Sequence, residues 1–313
     1  MELQTAYDKY NVIVVKIAED DIEGLLLNHD LTDDGTYSYM ENDFIDAVMR
    51  YLPEYAMGDQ PAPVSSIDVI PYIKETANSV IKVKKIAEIK KYIDEDIPYE
   101  QWEPGILDIY SSKGIFSELI LHFLLRTLHN TIPLISKIYF KDSFAQEAHG
   151  FDSVHVSGDN KLWLGETKFY NDSKRGIKAL IEDLNTHFKH DYLKEQFLII
   201  NRALINKNPE REAWIEKLNG ATRLEEKIEM IVVPLLCIYE DKFATTIIEA
   251  VNDGAETDAL IFDHISELKD YFENNNTFAN KERLHTLLIL LPVECKKRIV
   301  AEMLKRICNM QKM

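Results

Sequence analysis

Asp152 opens a short apolar run, Phe151-Asp152-Ser153-Val154-His155-Val156, and Glu166 and Lys168 lie inside the next, Leu162-Trp163-Leu164-Gly165-Glu166-Thr167-Lys168-Phe169-Tyr170. Between them, Ser157-Gly158-Asp159-Asn160 is turn-like, so the segment reads as two strands of a hairpin. Side chains at i and i+2 of a strand share a face, which puts Glu166 and Lys168 on one side and Thr167 on the other. Two carboxylates and an ammonium converging on a sheet edge suit metal-dependent hydrolysis of a phosphodiester. That reaction needs an activated water and compensation for charge building on the phosphate. Mg2+ supplies both when one or two carboxylates hold it and it keeps several waters. Asp152 and Glu166 are the expected ligands, with the backbone carbonyl of Thr167 as a third and Mn2+ as an acceptable substitute. Lys168 is expected to orient the water and offset phosphate charge.

A fourth acid, Glu118, sits within the apolar helical pattern Ile115, Phe116, Leu119, Ile120, Phe123, Leu124. A carboxylate on such a face is costly unless it has a partner. It is the candidate to tether a metal-bound water or a second metal. The Glu-x-Lys spacing alone carries little, because it recurs at Glu88/Lys90, Glu225/Lys227, Glu240/Lys242, Glu267/Lys269 and Glu294/Lys296. Only Glu166/Lys168 lies within a strand pattern with an acid on the preceding strand. Among the histidines, His155 is three residues from Asp152 and faces away in a regular strand. His149 has the reach but reads as a loop residue. His187 and His190 read as exposed helix histidines with no third ligand nearby.

Net charge is −17, from 36 Lys and Arg against 53 Asp and Glu. Nucleic-acid affinity comes largely from cations that neutralise phosphates, so an acidic chain needs segregated charge or a basic partner. Three basic stretches stand out: Lys161 through Lys178, then Lys82, Lys84, Lys85, Lys90 and Lys91, then Lys296, Lys297, Arg298, Lys305 and Arg306. Each reads as a solvated face or as phosphate contacts, and Lys174, Arg175 and Lys178, next to the Glu166 strand, are the candidate phosphate contacts. No phosphate-binding glycine loop or HExxH motif occurs, so nucleotide hydrolysis is expected only through a partner. The apolar runs Ile231–Ile238 and Leu287–Pro292 are too short to span a bilayer. Three unspaced cysteines, Cys237, Cys295 and Cys308, and no leader-like N-terminus point to a cytoplasmic protein with reduced thiols.

The elements that must position these residues follow from periodicity. Residues 11–17 read as a strand, 42–51 as a short helix, 58–66 as a linker and 71–92 as one long helix. Ser111–Leu128 reads as an apolar helix, 134–140 as a strand, and Arg175–Phe188 as an amphipathic helix. Gln196–Asn201 and Glu229–Tyr239 read as strands, and the chain after Asp241 as mostly helical. This order predicts an α/β core, a mixed sheet flanked by helices, over 107–240. An N-terminal region (1–106, a strand plus helices) and a C-terminal helical region (241–313) flank it. Leu287–Leu291 and Ile299–Ile307 are there either to dock a partner or to pack on their own core.

Gly150-Phe151-Asp152, then Gly165-Glu166-Thr167-Lys168, with Glu118 as the helix acid, resembles the PD-(D/E)XK nuclease superfamily, restriction endonucleases among them. The helix after the Glu-x-Lys strand matches in position, whereas the proline of the superfamily's name is absent. More narrowly, Gly114-Ile115-Phe116-Ser117-Glu118-Leu119, His149-Gly150-Phe151-Asp152 and Trp163-Leu164-Gly165-Glu166-Thr167-Lys168-Phe169-Tyr170 are similar to the HamA family of the Hachiman anti-phage system. The match covers residues 112–190. This resemblance implies a restriction-endonuclease-like fold, cleavage of DNA, and a HamB-like helicase that engages the DNA and restrains or releases the nuclease. A non-catalytic nuclease-fold module, or an RNA-cleaving enzyme with the same site, are the alternatives.

Overall fold

The computed structural model describes residues 1–58, 68–81, 83–103, 105–111, 114–135, 150–204 and 228–313. His149, residues 136–140 of the expected strand and all but Gly58 of the linker-like segment lie outside them. The strands are β1 (Leu3–Tyr7), β2 (Ile13–Ala18), β3 (Ile22–Leu27), β4 (His29–Leu31), β5 (Tyr37–Tyr39), β6 (Ile132–Pro133), β7 (Ser153–Val156), β8 (Leu162–Tyr170), β9 (Ile231–Glu240) and β10 (His285–Val293). The α-helices are α1 (Glu41–Met49), α2 (Leu52–Met57), α3 (Val69–Val80), α4 (Val83–Asp94), α5 (Ile106–Ser111), α6 (Ile115–Thr127), α7 (Ser173–His187), α8 (His190–Leu204), α9 (Lys242–Asn252), α10 (Asp258–Asn275) and α11 (Lys296–Lys312).

Eight strands form one mixed sheet in the order β1-β2-β3-β10-β9-β8-β7-β6. Its centre, β3-β10-β9-β8, is parallel, and antiparallel strands extend it on both sides. Parallel strands covered on both faces read as continuous apolar runs. β9 is buried at every residue but its last, and β10 over its last seven. One face carries α1–α4, α6 and α11, where Phe44, Leu52, Ile89, Phe123 and Leu304 join Trp163, Phe169 and Leu236. The other carries α7–α10, where Ile177, Leu184, Phe197 and Ile265 join Leu164 and Leu235. The expected α/β architecture, a mixed sheet between helical layers, is therefore observed.

The flanks give the sheet more than their sequence suggests. β1–β3 come from the N-terminal segment, and β10, from the C-terminal segment, lies between β3 and β9. Leu287–Leu291 thus builds the sheet core, and Ile299, Leu304 and Ile307 pack on it. The expected strand at Gln196–Asn201 is part of α8. Leu193, Gln196, Phe197 and Ile200 are buried at helical spacing while Leu198 is exposed, an ambiguity inherent in short apolar runs. The single helix expected over 71–92 is two. Ile81, in extended conformation between them, is buried with Val80, so packing of two β-branched side chains prevails over the helical period. The helix expected over 111–128 is observed as α6, starting later at Ile115, and Gly114 before it has φ of 66°, a conformation natural to glycine.

In the third basic stretch Lys296 donates to the Phe169 carbonyl, and the other four cations are ion-paired. Arg298 pairs with Glu41 (2.7 Å) and Glu294 (2.9 Å), Arg306 with Asp46 (3.0 Å), Lys297 with Asp108 (3.4 Å) and Lys305 with Glu302 (2.8 Å). These cations fasten α11 and its helical surroundings.

Just before Glu166 the sheet carries a tight spot. The β8–β9 pairing runs Leu162↔Ile231 and Trp163↔Val232, then resumes at Glu166↔Leu235. Pro234 lies in the gap and has no N–H to give. Opposite it, a Cβ on Gly165 would stand 3.2 Å from Pro234 Cγ and 2.8 Å from Leu121 Cδ2, and would collide with Ser153 Oγ. The lack of a side chain at Gly165 lets α6 lie close over β7 and β8. Gly165→Ala is expected to destabilise the chain by about 1–3 kcal/mol, read as a lowered midpoint in thermal unfolding. An unchanged midpoint contradicts this account.

Candidate active site

β7 begins at Ser153, paired with Gly165, so Asp152 lies just past the end of the ladder. Its backbone N–H still donates to the Gly165 carbonyl (3.0 Å), and its Oδ2 accepts the Thr167 N–H (2.9 Å). The carboxylate is therefore tied to the flank of β8 where β7 has ended. A strand residue's N–H and C=O point to the same flank. The Thr167 carbonyl thus faces the same side as its N–H, toward Asp152.

Glu166 and Lys168 point to the α7 face, as two-residue alternation requires. Their apolar neighbours Leu162 and Leu164 join the layer under α7, whereas Trp163 and Phe169 join the opposite one. After β8 the chain turns back through α7, whose N-terminus is capped by Asp172 accepting the Arg175 N–H (2.7 Å). The reversal brings Asp183 and His187, one turn apart, over Lys168 and Glu166. Asp183 is ion-paired with Lys168, and His187 Nδ1 lies 2.6 Å from Glu166 Oε1. The His187 ring stacks on Tyr192 (4.8 Å between centroids, 15° between planes), and Phe151 meets both rings edge-on.

The charges of the site act on one another. Burial would lower the Lys168 ammonium, but the bond to Asp183 and the charges of Asp183, Asp152 and Glu166 outweigh it and hold its pKa above the usual value. Burial lowers His187, with Lys168 adding to the effect and Asp183 and Asp152 opposing it. The Tyr192 phenol is raised by burial, then by Glu166, Glu195, Asp152 and Asp183. Asp152 and Glu166, from separate strands, thus act on the same ammonium and the same phenol.

Glu118 stands on the other face, in the first turn of α6, and its partner is Tyr55, whose hydroxyl donates to Oε2 (2.5 Å). Burial, then the charges of Glu118 and Asp152, raise the Tyr55 phenol. Glu118 is therefore linked to the surroundings of Asp152 through Tyr55. Lys174 is exposed and paired with Glu267 (2.6 Å). It lies nine residues before Asp183, about 14 Å along the helix at ~1.5 Å per residue. Lys174, Arg175 and Lys178 stand toward the opposite end of α7 from the carboxylates.

The family model of HamA matches residues 8–307. The chain belongs to the HamA family. Comparison with curated proteins and with solved structures gave no match. Membership points to a component of the Hachiman defence system. The match extends over β2, β3 and β10 as well as the hairpin, so it takes in the N- and C-terminal strands at the centre of the sheet. No helix of the described residues is long and apolar enough to cross a membrane.

In this HamA-family chain, Asp183, Tyr192 and Tyr55 join the site without having been singled out by sequence, and His187 joins it against the reading its sequence supports. His187 is not an exposed helix histidine, since it is half-buried against Glu166. The four-residue spacing of Asp183 and His187, matching the two-residue spacing of Lys168 and Glu166 across an antiparallel helix–strand pair, was the available signal.

Beneath Asp152, His155 does face away, into a buried chain. Thr131 Oγ1 lies 2.8 Å from His155 Nδ1, His155 Nε2 lies 3.0 Å from His122 Nδ1, and His122 Nε2 lies 3.0 Å from Glu54 Oε2. An ionised Glu54 only accepts, so His122 Nε2 donates to it, and the Thr131 hydroxyl donates to the Leu125 carbonyl (2.9 Å). Burial lowers both histidines, His155 strongly, with Glu54 opposing the effect at His122. The unfolded chain, with histidines near 6.5, therefore binds more protons just below that pH. The stability due to this pair is present above about pH 6.5 and is lost as pH falls through the interval below it. His155→Gln should be less stable at pH 7.5 yet lose less on going to pH 5.5, in melting curves across that range. An equal slope in both proteins contradicts the assignment.

Proposed function

We propose that this chain is a Mg2+-dependent nuclease that hydrolyses phosphodiester bonds in DNA. In this reading it is the effector of a Hachiman pair, restrained or released by a HamB-like helicase that supplies all nucleotide hydrolysis. The observation that carries the reading is that the Asp152 carboxylate, held by the Thr167 N–H (2.9 Å), lies on the flank of β8 between Glu166 and Lys168.

The donor set fits a hard cation. Among the described residues no group of three His, Cys, Asp or Glu side chains is placed to hold a metal. Two carboxylates, and the Thr167 carbonyl on the flank of Asp152, would hold Mg2+ with waters completing its shell. That set does not suit the four protein ligands of a structural zinc. When bound, the ion supplies an acidified water and neutralises phosphate charge. The raised pKa of Lys168 keeps it an ammonium at neutral pH, so it donates to a phosphate oxygen or to the attacking water and does not act as a base. Glu118 assists from the Tyr55 side. A chain of net charge −17 gains little from long-range attraction to DNA, which favours a partner that carries the DNA.

The test is cleavage of plasmid and linear DNA with Mg2+, by the wild type, Glu166→Ala and Lys168→Ala, alone and with the helicase plus ATP. Either substitution should lower cleavage by at least about 10²-fold, with the circular dichroism spectrum unchanged. Cleavage retained by Lys168→Ala would overturn the assignment, and RNA cleavage with none of DNA would move the substrate class.

A further inference from the structure

The side chains that carry the proposed chemistry on β8 are each gripped by one residue of α7. Lys168 is paired with Asp183 and Glu166 with His187. Glu166 is 2% exposed, so its orientation is set by protein contacts. The His187 imidazole is itself fixed by the Tyr192 ring stacked on it and by the edge contact of Phe151, the residue before Asp152. One aromatic cluster therefore includes the neighbour of one carboxylate, Asp152, and the partner of the other, Glu166.

We propose that His187 and Asp183 are positioning residues, His187 setting the plane in which Glu166 meets the cation and Asp183 holding Lys168 for the phosphate. This rests on the metal-dependent nuclease reading above. The division of labour follows from the contacts. Groups that orient a metal-binding carboxylate change metal affinity, commonly 10–100-fold. A group that orients an ammonium without touching a ligand changes turnover instead. His187 Nδ1 must carry the hydrogen, since an ionised Glu166 only accepts. That nitrogen is reproduced by the amide of asparagine, which ends at the same distance from the backbone, and not by the longer glutamine.

The experiment uses the full chain and Mn2+ as the probe, with bound ion counted by electron paramagnetic resonance and Mg2+ activity measured on DNA in parallel. His187→Ala is expected to weaken Mn2+ binding at least tenfold. His187→Asn should recover most of that loss and His187→Gln should not. Asp183→Asn should bind Mn2+ as the wild type does while turnover falls tenfold or more at saturating metal. Equal Mn2+ affinity in the wild type and His187→Ala overturns the role of His187. Equal losses in the Asn and Gln variants, together with lowered melting temperatures, assign His187 to folding and overturn it too. Unchanged turnover in Asp183→Asn overturns the role of Asp183. Failure of the underlying reading looks different: Glu166→Ala then binds Mn2+ as tightly as the wild type, and the proposal falls with it.

Discussion

Glu166 is a carboxylate in the middle of an apolar strand, with 2% of its surface exposed. Burying an ion this deeply is tolerated only when neighbours replace the water it loses. Much of the local architecture supplies that replacement. α7 runs back along β8 so that His187 reaches Glu166 and Asp183 reaches Lys168. Lys168 in turn offsets the carboxylates on its own face. The constraint spreads outward: Asp183 and His187 reach β8 only if α7 packs closely on it, which Ile177, Leu180, Ile181 and Leu184 achieve by burying against the sheet. The helical layer on that side is thus set by the need to keep one buried charge satisfied.

A second constraint works from the opposite face. Gly165 admits α6 and Pro234 to the same small volume, and α6 then brings in Glu118 and His122. Each finds its partner on α2: Tyr55 for Glu118, Glu54 for His122. The polar groups of this layer stay buried because a single short helix, α2, answers two of them.

What could be read from the sequence was what depends on local period. Alternation placed Glu166 and Lys168 together and Thr167 opposite, and the helical stripe of Arg175–Phe188 anticipated α7. What could not be read depends on which elements meet. His187 looks like an exposed histidine until β8 lies beneath it. The Asp152 side chain follows the strand flank, not a strand face, because β7 has ended there. β10 was hidden because seven consecutive buried residues carry no period. Gln196–Asn201 reads as a strand for the converse reason, since an apolar run of that length fits either element until its flanks are packed.

β10 joins the centre of the sheet, paired with β3 on one side and β9 on the other. It is made of residues 285–293 in a chain of 313. Loops this long close at a cost that grows only slowly with length, so the arrangement is affordable at equilibrium. The order of synthesis is another matter. A growing polypeptide emerges from its N-terminus, and β1–β3 are made long before the strand that must join them to β9. Until β10 has been made, the central sheet has no middle and the Glu166 strand has no complete support behind it. A protein with a phosphodiester-cleaving centre of the proposed kind would then be born inert, its assembly timed by the ribosome before any partner restrains it. Chains interrupted before residue 285 would carry every side chain of the proposed centre and still lack the scaffold that makes it one.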